Sequence, residues 1–138
     1  METAETLSGG CLCGQVRYTV PASAQAVATC HCRDCQKQSG SAFSLIAVYP
    51  RSEVRIAGAL SVFTKTSDDG NAVERHFCGN CGSPIFSDIA SMKEAGLLLL
   101  KAGTLDDTSR LAPAAHYWVQ SKQDWLALPE SVLCIARQ

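Results

Sequence analysis

Two short stretches far apart in the chain, Gly10-Cys11-Leu12-Cys13-Gly14 and Cys78-Gly79-Asn80-Cys81-Gly82, decide how the sequence is read. Each sets two thiols on a tight turn with a glycine straight after the second. Glycine tolerates positive φ, so the turn can aim backbone N–H groups at the sulfurs. One such knuckle supplies two ligands, and two knuckles complete a tetrahedral four-thiolate zinc site. A site of this kind joins distant parts of the chain, and metal-binding free energy becomes folding free energy. Cys11, Cys13, Cys78 and Cys81 are therefore the expected ligands of a structural zinc.

A third cluster lies between them, Cys30-His31-Cys32-Arg33-Asp34-Cys35. Three protein ligands leave one position of a tetrahedral zinc open, which is the design of catalytic sites. With three thiolates the zinc ion is already net negative and a poor acid toward water. It still takes an incoming thiol as the thiolate at neutral pH. A second closed structural site is the alternative, its fourth ligand drawn from His31, His76, His116 or Cys134. His31 points away from its neighbours if Cys30 and Cys32 ligate through one face of an extended segment. His76 and His116 read as ordinary polar residues at strand edges. Cys134, in Val132-Leu133-Cys134-Ile135, reads as a buried small hydrophobe. Cys11/Cys13 pairing with Cys30/Cys32 is also possible, but joining the two knuckles keeps the contiguous triple intact. Three thiolates on one loop lose metal and oxidise more readily than a closed set, so partial occupancy is expected at the second zinc.

The rest of the composition fits a globular zinc protein. The chain has 138 residues, 46% apolar and 18% charged, which reads as a single domain over 1–138 with its motifs within about 9–129. Twelve basic residues against thirteen acidic ones argue against a nucleic-acid partner, whose phosphates call for a basic excess. The longest apolar run, Leu97-Leu98-Leu99-Leu100, is far too short to cross a bilayer. The opening METAETLSGG lacks the basic and apolar regions of a signal peptide, which points to the cytoplasm and to reduced thiols rather than disulfides.

Periodicity predicts a mainly β domain of several short antiparallel sheets around the knuckles. Residues 15–20 alternate polar and apolar, and 42–49 form an apolar run closed by Pro50, as in a strand buried on both faces. Further strands are expected at 53–57, 60–65, 72–77, 97–102 and 114–119, with a turn at Ser67-Asp68-Asp69-Gly70-Asn71. Helix is expected only near 88–95 and in a short turn after Cys35.

The order of motifs adds a resemblance. GGCLCGQVRY at 9–18, CHCRDCQKQSGSAF at 30–43, RHFCGNCGSPIF at 75–86, AGTLDD at 102–107 and HYWVQSKQDW at 116–125 resemble the glutathione-dependent formaldehyde-activating enzymes and the centromere protein V group. The resemblance implies a small zinc β fold like that of guanine-exchange-factor-like proteins and methionine-R-sulfoxide reductases. It implies structural zinc on Cys11, Cys13, Cys78 and Cys81, and a second, catalytic zinc on Cys30, Cys32 and Cys35. It further implies carbon–sulfur lyase chemistry, in which the thiolate of glutathione attacks formaldehyde to give S-hydroxymethylglutathione. Arg33 and Lys37 are candidate contacts for the tripeptide's carboxylates. His116, Trp118, Lys122 and Trp125 match the C-terminal signature, where the tryptophans either line the pocket or close the core. A non-catalytic zinc-stabilised binding module is the competing function. Methionine sulfoxide reduction is a third, and Cys134 would be its only free nucleophile.

Overall fold

The structure, a computed structural model, describes residues 5–66, 70–129 and 132–136. It is mainly β. Strands β1 (Thr6–Gly10), β2 (Arg17–Pro21), β3 (Ala26–Cys30), β4 (Ser44–Pro50), β5 (Arg55–Ala57), β6 (Ser61–Thr66), β7 (Ala72–Phe77), β8 (Pro84–Ile89), β9 (Leu97–Lys101), β10 (Ala115–Tyr117) and β11 (Leu133–Ile135) are accompanied by two short helices, α1 (Arg33–Ser39) and α2 (Ala90–Glu94). A three-stranded sheet has the order β1-β2-β5, and an eight-stranded sheet runs β11-β10-β3-β4-β9-β8-β7-β6. Pairing is antiparallel except at β10, which lies parallel to both β3 and β11. Among the described residues, no helix is long and apolar enough to cross a membrane.

The alternation in 15–20 places Val16, Tyr18 and Val20 on the buried side of the small sheet while Arg17 faces water. They pack in one core with Tyr49, Ile85, Leu98 and Leu100 of the large sheet. Each fully buried side chain of the size of Leu100 or Ile85 contributes about 1.5–3 kcal/mol by leaving water. β4 earns its apolar run by lying between β3 and β9 in the middle of the sheet.

Several elements differ from the expectation. Residues 51–53 form a 3-10 turn, which shortens the strand expected over 53–57. The helix expected over 88–95 covers only Ala90–Glu94, because β8 runs on to Ile89. Strands β1, β3, β8 and β11 lack a clear alternating pattern. β1 ends in two glycines that read as a loop, yet a Cβ on Gly9 would stand 2.6 Å from the Thr104 carbonyl oxygen, so close packing demands the glycine. β6 and β7 pair up to Thr66 and Ala72; of the turn expected at 67–71, residues 67–69 lie outside the described residues.

Two ion pairs illustrate how burial sets the value of a charge. Arg17 and Asp106 meet at 2.6 Å, but their side chains are 48% and 57% exposed. Asp88 is buried, is bound by Arg51, and lies 3.4 Å from His76 Nε2. Removing the carboxylate by Asp88→Ala is expected to destabilise the fold by about 3 kcal/mol, because it strands a partly buried guanidinium. Asp106→Ala is expected to cost far less, because water already solvates both partners. Denaturant unfolding of both variants checks the ranking, and equal losses would refute it.

Candidate metal centre

The structure brings Cys11, Cys13, Cys78 and Cys81 into one group and Cys30, Cys32 and Cys35 into another, with the sulfurs of each group within 4.8 Å of one another. In the first group, Cys11 and Cys13 sulfurs lie 3.6 Å apart, and Cys13 and Cys78 sulfurs 3.8 Å apart. Four thiolates at the corners of a zinc tetrahedron, each about 2.3 Å from the metal, would stand about 3.8 Å apart. The donor set therefore fits the metal in both chemistry and spacing. Gly14 and Gly82 follow their cysteines with φ of 82° and 80°, the conformation the knuckle reading requires.

Backbone donors and a serine complete the first group. The Val16 N–H donates to Cys11 Sγ at 3.2 Å, and Ser83 Oγ lies 3.3 Å from Cys81 Sγ. Ser83 also accepts from the Leu12 N–H at 3.0 Å, which stitches one knuckle to the other. Hydrogen bonding from the Ser83 hydroxyl, then from backbone N–H groups, pulls the Cys81 thiol down to about 5. It is thus ready to ligate as the thiolate.

The second group sits where β3 hands over to α1. Cys30 is the last residue of its strand, Cys32 caps the helix by accepting from the Cys35 N–H at 3.3 Å, and Cys35 lies in the first turn. The helix begins before Cys35 rather than after it because Cys32 supplies this cap. Gln36 holds the helix in place: its Nε2 donates to the His31 carbonyl at 2.8 Å and to the Ser121 carbonyl at 2.9 Å. Lys65 on β6 ties the outer side down through Asp34 at 2.8 Å. Trp118 packs against Cys30 and Cys35 and shields the thiols. It is the one non-glycine residue with positive φ, 59°, among the described residues. That conformation costs about 1–2 kcal/mol, and here it turns the indole onto the thiols.

None of the candidate fourth ligands joins this second group. Register explains why. Tyr117 pairs with Cys30, whereas His116 pairs with Thr29, so the histidine points to the opposite face of the sheet. There Thr29 Oγ1 hydrogen-bonds both His31 Nε2, at 2.9 Å, and His116 Nδ1. Burial lowers the pKa of both imidazoles. His76 stacks on Phe86 with centroids 4.1 Å apart. Cys134 is exposed, against the expectation of a buried hydrophobe. β11 is only three residues long and, among the described residues, sits at the sheet edge beside β10. The tryptophans also divide: Trp118 is buried, but Trp125 is 73% exposed and closes no core.

Sequence reading missed two cations beside the triple. Lys101 is buried and donates from Nζ to Ser44 Oγ at 2.7 Å, and Ser44 is the register partner of Cys30. Arg75, on β7, is buried as well. Hydrogen bonds from Cys30 and then Cys32 pull the Cys35 thiol strongly down, and the charges of Lys101 and Arg75 act the same way. Hydrogen bonding with Cys32 and then Cys35, together with burial, pushes the Cys30 thiol up. Burial holds Lys101 below its ordinary value; the Cys35 thiolate, and less so those of Cys30 and Cys32, pull it up, while the charge of Arg75 adds to the lowering. A lysine closing the run Leu97–Leu100 was the available signal, because a charge at the end of a buried strand needs a partner. Arg33 and Lys37 line an open depression on the outer side of α1 with Gln36, Gly40, Ser41 and Gln123.

The scaffold is mainly β and carries two separate groups of cysteines, each able to hold a metal ion. The chain belongs to the glutathione-dependent formaldehyde-activating enzyme family, whose model matches residues 6–121. It is 30% identical over 81 residues to an Aspergillus flavus protein that carries the family's name, the match spanning 57% of this chain and 42% of that protein. A Penicillium rubens relative with the same name is 33% identical over 82 residues, covering 57% of this chain and 41% of the relative. The chain thus matches less than half the length of these curated relatives. A crystal structure of a Rhodobacter sphaeroides protein shares the fold, with a TM-score of 0.58 at 19% identity over 75% of this chain and 92% of that one.

Proposed function

We propose that the protein is a zinc-dependent enzyme of carbon–sulfur lyase type that joins a thiol such as glutathione to a small carbonyl such as formaldehyde. The observation that carries this reading is the group of three thiols to which no fourth His, Cys, Asp or Glu donor comes close among the described residues. Cys11, Cys13, Cys78 and Cys81 would hold the structural ion, and Cys30, Cys32 and Cys35 the second. When bound, the second zinc supplies a position at which a thiol is taken up as the thiolate at neutral pH.

The chain's own residues do the rest. Trp118 keeps water from one side of the thiols, which strengthens every charge interaction there. Gln36 fixes the helix that carries Cys35, and so fixes the spacing of the three sulfurs. Arg33 and Lys37 border a depression one helix face away, positioned to meet the carboxylates of a tripeptide. Family membership supports glutathione as the thiol and formaldehyde as the carbonyl.

Calorimetric titration of the zinc-loaded protein with reduced glutathione, in two buffers of different ionisation heat, tests the reading. Binding is expected with release of about one proton per chain, the signature of a thiol captured as thiolate. Absence of binding would turn the assignment toward a non-catalytic zinc-stabilised binding module.

A further inference from the structure

Directly paired residues of adjacent strands project to the same face of a sheet, as do residues two apart on one strand. Following these two rules from Cys30 leads across the large sheet. Cys30 pairs with Ser44; Ile46, two residues on, pairs with Lys101; Leu99 pairs with Ser87; and Ser87 pairs with Arg75. One face therefore carries Cys30, which opens the thiol cluster, the Ser44 hydroxyl, Ile46, the Lys101 ammonium, Leu99, the Ser87 hydroxyl and the Arg75 guanidinium.

The row is unusual in its charge and in its hydrogen bonding. Lys101 and Arg75 are only 6% and 7% exposed, and neither meets a carboxylate in an ion pair among the described residues. The Ser87 hydroxyl, between them, is buried without a hydrogen-bond partner. Two buried cations and an unsatisfied hydroxyl make a place where negative charge is favoured. A divalent metal with three thiolates carries one negative charge, which a single cation already balances. The second cation leaves one positive charge over, and a further anion on the metal would neutralise it.

We infer that Lys101 and Arg75 are positioning residues that make the Cys30/Cys32/Cys35 metal site select an anionic fourth ligand over a neutral one. The inference builds on the open-site reading above and identifies the ligand class as a thiolate or thiolate-like anion. Lys101 acts through Ser44 and the field at the sulfurs, and touches no reacting atom itself.

The test uses the full chain loaded with cobalt(II), whose visible bands respond when a ligand enters the open site. Azide serves as the anionic probe and imidazole as the neutral one. Lys101→Met is expected to weaken azide about tenfold or more, the order set by one charge at close range in a partly shielded site. Imidazole affinity should move less than about twofold. Arg75→Gln should shift the ratio in the same direction, and carries the test if Lys101→Met does not fold. Lys101→Arg should restore azide binding. Unchanged azide affinity in the variants, or equal loss of azide and imidazole, would overturn the inference. Wild-type protein that binds azide but not glutathione, with azide weakened by Lys101→Met, would support the charge assignment and dismiss glutathione as the substrate.

Discussion

Cys78→Ser is expected to leave the protein largely unfolded at ambient temperature. Cys78 is buried at 1% exposure, its sulfur lies 3.8 Å from that of Cys13, and its N–H donates to the Ser83 carbonyl at 2.9 Å. It stands at the junction of two knuckles that come from distant parts of the chain. The magnitudes decide the outcome. Structural zinc on a four-thiolate site contributes an apparent free energy of about 10–16 kcal/mol near neutral pH. A chain of this size has a net stability of only about 5–15 kcal/mol. Losing even half of the metal term therefore removes most or all of the margin. Circular dichroism melts with metal analysis read the result directly, and a chelator applied to the wild type should reproduce it. A Cys78→Ser protein that melts within a few degrees of the wild type would refute the structural role of this group.

Cys35→Ser should behave in the opposite way, keeping the fold and losing the chemistry. The second group lies where β3 meets α1, and that helix is held independently by Gln36 and by the Lys65–Asp34 pair. The expected product is a folded protein with one metal per chain instead of two. Its thiol-dependent turnover should fall by at least about a hundredfold, since removing even an outer hydrogen-bond partner of a metal ligand costs about 10–100-fold. Metal counting, a thermal melt and turnover with glutathione and formaldehyde check the three parts. Retained turnover in Cys35→Ser would remove this site from the reaction. Cys134→Ser is the control, because that thiol is exposed on an edge strand away from both groups, and the substitution should change none of the three.

Much of the fold was legible because it rests on local rules. Alternation exposes β2 through Val16, Tyr18 and Val20, and an apolar run closed by proline exposes β4. The short runs at 60–65 and 72–77 announce β6 and β7, which pair as antiparallel neighbours. β3 and β8 stay hidden for a different reason. Their mixed runs AVATC and PIFSDI acquire strand character from neighbours on both sides, which no short window contains. β11 carries an apolar run that resembles core, yet it is placed at an edge where its cysteine faces water.

The sequence by itself determined which cysteines are candidates to act together, since the spacing of thiols and the glycines after them are properties of a few adjacent residues. It also determined that the class is mainly β, because period-two patterns and turn residues act over short distances. Only the tertiary structure decided what surrounds the sulfurs. Strand register turned His31 and His116 to the opposite face of the sheet, and brought Lys101 from β9 and Arg75 from β7 toward Cys35. A one-residue slip of β10 against β3 would turn His116 to the face that carries Cys30. That choice is made by the packing of the whole sheet against its core, and no local stretch of the chain encodes it.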